Sequence, residues 1–121
     1  MQYATTPGAQ GICPVSWHIP TNVEFQACST AVQGDGNALK STDQGASGGI
    51  GTNTSGFSAL LVGCRGDNGT FLDLGNFIFF WSSTEFDAAN VNCMFLNNSG
   101  SSINYIPNNK QWGFSVRCVK D

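Results

Sequence analysis

Phe77-Ile78-Phe79-Phe80-Trp81-Ser82-Ser83 is the stretch on which the fold turns. Its first five residues form the longest unbroken apolar run in the chain, far short of the roughly 20 residues that span a bilayer. Aromatic-rich and bounded by Gly75-Asn76 on one side and polar residues on the other, it reads as a buried strand rather than a helix. Strand candidates lie on both sides of it. Phe57–Arg65 comes first, and the turn signal Asp67-Asn68-Gly69 leads to a second at 70–74. Beyond it come 91–96, closed by the turn Asn97-Asn98-Ser99-Gly100, then a short strand at 103–106. In 114–119, Phe114, Val116 and Cys118 alternate with Ser115 and Arg117.

Upstream of residue 57 the pattern is helical and then irregular. Thr21-Asn22-Val23-Glu24 is a capping box, in which Thr21 can accept from the amide three residues on while Glu24 reaches back. It predicts a helix over 22–32, with Phe25, Cys28 and Val32 on the inward face and Gly34-Asp35-Gly36 as its stop. A second short helix is expected near 37–41. Residues 43–56, rich in Gly, Ser, Thr and Asn, read as a long loop, and 1–12 as a loop or edge strand. One or two helices followed by short antiparallel strands with long loops make an α+β domain. The 121 residues, without internal repeat or linker, fit one domain.

Charged residues make up 11% of the chain against a usual value of roughly 25%. Neutral amides and hydroxyls supply the polarity instead, so the surface recognises partners through hydrogen bonds rather than ion pairs. The net charge is −3 and the five Lys/Arg are scattered, leaving no basic patch for nucleic acid. The first residues, Met1-Gln2-Tyr3-Ala4, have no basic start followed by an apolar stretch, so no signal peptide is visible in this sequence. The chain is therefore either cytoplasmic or a domain cut from a longer precursor, and its cysteines favour the second. Those five, Cys13, Cys28, Cys64, Cys93 and Cys118, include no C-x-x-C pair and are accompanied by a single histidine, His18. That spacing does not suit zinc. The odd count leaves at least one thiol unpaired within the chain.

Five ordered motifs carry a resemblance. They are Ile12-Cys13-Pro14 with Trp17-His18-Ile19-Pro20-Thr21; Leu39-Lys40-Ser41 with Gly56-Phe57-Ser58-Ala59-Leu60; Asp67-Asn68-Gly69-Thr70-Phe71; Trp81-Ser82-Ser83-Thr84-Glu85; and Gly113-Phe114-Ser115-Val116-Arg117-Cys118. From about residue 11 to the C-terminus the chain resembles the Fibrobacter succinogenes major paralogous domain, a family of bacterial surface and secreted proteins. The resemblance implies a C-type-lectin-like fold, shared with the variable proteins of diversity-generating retroelements. It also implies that the domain's ends lie together, so that Cys13 and Cys118 could form a disulfide across 105 residues; the alternative is two buried thiols. Cys64 and Cys93 depart from the family pattern. They either pair across neighbouring strands or are single small residues, and Cys28 reads as a buried thiol.

The resemblance also sets what the domain is expected to do. Carbohydrate-binding C-type lectins hold calcium with a Glu-Pro-Asn loop and a Trp-Asn-Asp strand. This chain lacks the first, and Trp81 is followed by Ser82-Ser83, so no metal or cofactor is expected. Sulfatase-activating enzymes share the fold but act through cysteines that have no counterpart here. His18 sits in a structural motif, and Asp67 and Asp73 beside glycines are ordinary turn residues. No catalytic residue is expected.

The candidate site is instead the stretch 77–112, where aromatics alternate with many asparagines. Rigid aromatics beside adaptable amides are the chemistry of binding surfaces, and asparagine is otherwise disfavoured on strands. Some aromatics, Phe80, Trp81 and Phe95 among them, are candidates for the core. The expected ligand contacts are Phe77, Ile78, Phe86, Asp87, Asn90, Asn92, Met94, Asn104, Tyr105 and Trp112. Retroelement diversification acts on adenines, chiefly in asparagine codons. Its products include the residue types at Phe77, Ile78, Phe86, Asp87, Cys93 and Tyr105. The expected function is therefore non-enzymatic binding of a protein or glycan by a surface, extracellular or virion-borne receptor or adhesin. A fixed structural or adhesion module is the alternative.

Overall fold

In the computed structural model, which describes residues 6–121, the elements in order are β1 (Trp17–His18), α1 (Asn22–Ala31), β2 (Cys64–Arg65), β3 (Phe71–Leu72), β4 (Phe77–Glu85), β5 (Asn90–Asn97), β6 (Asn104–Asn109) and β7 (Val119–Lys120). The chain is α+β, with one α-helix and single 3-10 turns at Gly36–Ala38 and Ser47–Gly49. The second helix expected near 37–41 is only the first of these turns. Of the segment 1–12, residues 1–5 lie outside the described residues; residues 6–12 form turns rather than an edge strand.

The helix begins as its sequence dictates. Thr21 Oγ1 accepts from the Glu24 amide at 3.2 Å, and Glu24 Oε2 accepts from the Thr21 amide at 2.8 Å, so two end-of-helix donors are satisfied reciprocally. Phe25 is buried against the sheet, with Cys28 and Val32 partly buried beside it. The helix ends at Ala31, and the chain turns away through Gly34 (φ +77°), whose amide donates back to the Ser29 carbonyl at 2.9 Å.

The central sheet is antiparallel, in the order β4-β5-β6. Register pairs Phe79 with Phe95 and Phe95 with Asn104; it pairs Trp81 with Cys93 and Cys93 with Ile106. Strand alternation sends the two parities to opposite faces. One face carries Ile78, Phe80, Met94 and Leu96, which close the main core with Phe25, Leu39, Ala59 and Leu61. The other carries Trp81, Val91 and Cys93, covered by Trp112, Phe114 and Val116. Both faces being covered at this end explains why the Phe77–Trp81 run shows no hydrophobic alternation.

A separate ribbon joins the two ends of the domain, with Trp17 opposite Lys120 and His18 opposite Val119. There Cys13 and Cys118 are disulfide-bonded, Cα atoms 5.8 Å apart, and packed on Ile19. Cys28, Cys64 and Cys93 are free thiols. The pairing of Cys64 with Cys93 is corrected: both are free thiols, Cys64 on β2 beside β3 and Cys93 on β5 between β4 and β6.

Two expected strands are not continuous. Phe57–Arg65 is a strand only at Cys64–Arg65, because Ser58 (φ +58°) and Gly63 (φ +71°) break the extended path. Gly63 tolerates no side chain, since a Cβ there would lie 2.0 Å from the Leu72 carbonyl oxygen. The segment 114–119, with Gly113 before it, is divided among three partners. Gly113 bonds Arg65, Ser115 bonds Phe79 and Trp81 of β4, and only Val119–Lys120 forms a strand, with β1.

Candidate functional site

The side chains of β4, β5 and β6 that share the parity of Trp81 are not all covered. Trp112 and Phe114 pack over the β4 side, with Phe114 stacked on Phe79 (ring centroids 4.8 Å apart) and on Trp81 (4.3 Å). Towards the other strands the face opens. Phe77, Phe79 and Phe95 form a mutually contacting group, with centroids 5.5 to 6.1 Å apart, and all three are half-buried. Beside them lie Asn97 from β5 and Asn104, Ile106 and Asn108 from β6. Ile106 is 37% exposed. Between Leu74 and Asn109 the only charged residues are Glu85 and Asp87, both near the β4–β5 turn. The open part of this face is thus an uncharged strip of aromatic rings edged with amides.

At the far end of the strip stands the β4–β5 turn. Asp87 holds it by accepting from the amides of Ala89 and Asn90 at 2.8 Å, and both its carboxylate oxygens accept from Asn90 Nδ2 at 2.9 Å. Those bonds, the Asn90 side chain foremost, hold the Asp87 carboxyl below its ordinary pKa. Lys110 braces the same turn from beyond β6, donating to Glu85 and, at 2.9 Å, to the Ala88 carbonyl. Phe86, 61% exposed, is therefore an aromatic presented on a braced turn.

The structure divides the ten expected contact residues by strand parity. Phe77 and Asn104 lie on the open face, and Phe86, Asp87 and Asn90 at the turn. Ile78 (1% exposed) and Met94 (0%) are corrected: they point to the helix side and form the core, away from the open face. Tyr105 has the same parity, and its hydroxyl donates to the Phe25 carbonyl at 3.0 Å, fastening the sheet to α1. Asn92 is half-buried and donates to the Thr84 carbonyl at 3.2 Å beside the β4 register shift. Trp112 packs with Phe114 as part of the cover. Phe95, Asn97, Ile106 and Asn108 complete the face although they were not among the expected contacts; counting in twos from Asn104 leads to Ile106 and Asn108, whereas Phe95 and Asn97 follow only from the β4–β5 register.

Lys40 supports the site from within. It is fully buried, and its ammonium donates to the carbonyls of Gly49, of Asn97 (2.8 Å) and of Gly100 (3.0 Å). It thereby ties the long loop to the β5–β6 turn that carries Asn97. Burial lowers its pKa. Gly49 fits beneath that turn only without a side chain, since a Cβ would come within 2.2 Å of the Asn98 carbonyl oxygen.

His18 has a structural position. Nδ1 lies 2.7 Å from Asp121 and Nε2 2.8 Å from Glu24, an arrangement that engages both nitrogens as donors when the ring is protonated. The Asp121 bond and then the Glu24 bond raise its pKa. Cys64 and Cys93 are buried, with pKa values raised by desolvation, that of Cys93 to about 11.

These features define a small α+β domain, closed on itself by a disulfide between its ends, with an uncharged aromatic and amide face on its main sheet. Residues 2–120 match the model of the Fibrobacter succinogenes major domain, and the chain belongs to that family. No curated protein and no solved structure matches it.

Proposed function

We propose that this domain is a non-enzymatic ligand-binding module on a C-type-lectin-like scaffold, and that it binds a protein or glycan through the open face of β4–β5–β6 and the Phe86 turn. The observation that carries the reading is the uncharged strip of Phe77, Phe95, Asn97, Asn104, Ile106 and Asn108, lying open beside a covered and stapled scaffold. Aromatic rings supply contact area at little entropic cost, and amides supply adaptable hydrogen bonds. Within this class the domain is read as the variable protein of a diversity-generating retroelement, or as a surface adhesin or receptor, acting outside the cytoplasm. The Cys13–Cys118 bond is compatible with an oxidising compartment, and no helix among the described residues is long and apolar enough to cross a membrane.

The test is a screen of the wild-type domain on glycan and cell-surface-protein arrays, repeated with Phe95→Ala and Asn104→Ala. Specific binding should be retained between low and high salt, because no charge lies on the open strip, and lost in both variants. Binding that both variants preserve would place the contact surface elsewhere.

A fixed structural or adhesion module is the second reading. It is favoured by Ile12 and Val15, 77% and 83% exposed beside the stapled ends, which suit packing against a neighbouring domain. An enzyme related to the sulfatase activators is disfavoured. Its chemistry would need a reactive thiolate, whereas the free thiols of Cys28, Cys64 and Cys93 are all shifted away from ionisation by desolvation, and the last two are buried.

A further inference from the structure

On the edge of β4 that β5 does not cover, two irregular segments approach the sheet separately. Gly63 pairs in parallel with Ile78, and Ser115 pairs in parallel with Phe80. Between the segments lies a cleft of about 250 Å³. Ile78 and Phe80 line it from β4, Leu60 and Val62 from one segment, and Val116 and Arg117 from the other. Leu60 and Val62 are each about half exposed at its rim. Because Ile78 and Phe80 belong to the helix-facing parity, the cleft is separate from the face assigned to ligand binding above.

Arg117 gives the cleft its chemical character. Its guanidinium carbon lies 4.5 Å from the centre of the Phe57 ring, which holds the planar cation by its face. The ion pairs among the described residues join His18 to Glu24 and Asp121, and Lys110 to Glu85; none involves Arg117. A guanidinium seated on an aromatic ring, without a carboxylate partner and beside an aliphatic cleft, complements an acid whose other end is apolar. Guanidinium matches carboxylate in geometry, offering two parallel donors. The cleft volume lies below the range of drug-sized sites, which suits a short chain.

We propose that this cleft binds a small aliphatic monocarboxylate, its hydrocarbon chain on Ile78 and Phe80 between Leu60 and Val116 and its carboxylate on Arg117. The two requirements are separable, so matched six-carbon probes distinguish them. Hexanoate, hexanol and hexylamine are titrated into the ¹⁵N-labelled whole domain. Hexanoate should give saturable amide shifts clustered at residues 58–63 and 115–117. Hexanol should bind about tenfold more weakly, having lost the charge-assisted pair, and hexylamine should not saturate. Arg117→Gln should bring hexanoate down to the affinity of hexanol. The rim variant Leu60→Asp, at a half-exposed position that leaves the Phe57 contact intact, should repel hexanoate about as strongly. Equal binding of hexanoate and hexanol, unchanged hexanoate affinity in a folded Arg117→Gln or Leu60→Asp domain, or shifts centred elsewhere would each overturn the assignment. So would saturation only by a peptide ending in a leucine carboxylate, since the occupant would then be a chain terminus rather than a free acid.

Discussion

Replacing Lys40 by methionine tests how the domain holds the open face of its main sheet, and the size of the effect follows from opposing contributions. Methionine keeps most of the side-chain volume and length, so packing changes little. It removes the ammonium that donates to the carbonyls of Gly49, Asn97 and Gly100. Hydrogen bonds from a charged donor contribute about 1.5–3 kcal/mol each, and a buried acceptor left without a partner costs about 1–3 kcal/mol. Against this, the substitution relieves the several kcal/mol that desolvating a buried ammonium costs, the same effect that lowers its pKa. With three acceptors lost and one cation relieved, the net destabilisation should be about 2–4 kcal/mol, or a fall in Tm of roughly 6–20 °C for a domain of this length. The local signature is more specific than the global one. Amide exchange should accelerate at residues 44–51 and 97–100, the two segments that the ammonium joins, and much less in β1–β7. Urea unfolding with hydrogen-exchange mass spectrometry measures both. A Lys40→Met domain as stable as wild type, with protection unchanged in those segments, would refute the reasoning.

Reduction of Cys13–Cys118, or its double replacement by serine, should cost up to about 4–5 kcal/mol on the chain-entropy model for a loop of 105 residues, read from urea unfolding with and without reductant. The His18 contribution should depend on pH with a definite sign. The folded pKa is raised above the ordinary 6.5, so the folded state holds the proton more tightly; the contribution is complete below about 6.5 and is lost as pH rises through the folded value. His18→Gln should flatten that part of a stability profile measured between about pH 5 and 9. Ile78→Ala should destabilise by about 2–4 kcal/mol as a core truncation, and Phe86→Ala by less than about 0.5 kcal/mol, as a surface change, when both are compared by thermal unfolding.

Local signals in the sequence were legible where one residue's chemistry decides the outcome. Thr21 and Glu24 cap the helix in the way their spacing predicts, and 77–83, 91–96 and 103–106 lie in or overlap β4, β5 and β6. The inward direction of each strand was not legible. In Phe77-Ile78-Phe79-Phe80-Trp81 both parities are apolar, one packed in the main core and the other only partly covered by Trp112 and Phe114, so Ile78 and Met94 could not be told from Phe77 and Phe95 by composition. The segments 57–63 and 114–118 look like strands because their apolar residues are needed by the core. Their backbones, however, bond to several partners in succession, a property of tertiary arrangement alone. Lys40 was opaque for a related reason: lysine is almost never fully buried, and only the convergence of three carbonyls from distant segments makes burial tolerable.

The central claim, that the open parity of β4–β5–β6 and the Phe86 turn form a diversified contact surface, is tested most directly by deep sequencing this locus across its source population. Adenine-restricted substitutions should concentrate at Phe77, Phe86, Asp87, Asn90, Phe95, Asn97, Asn104, Ile106 and Asn108 and spare Ile78, Phe80, Met94 and Leu96, alongside a nearby template copy. A uniform locus without a template, or substitutions spread equally over both parities, would contradict it.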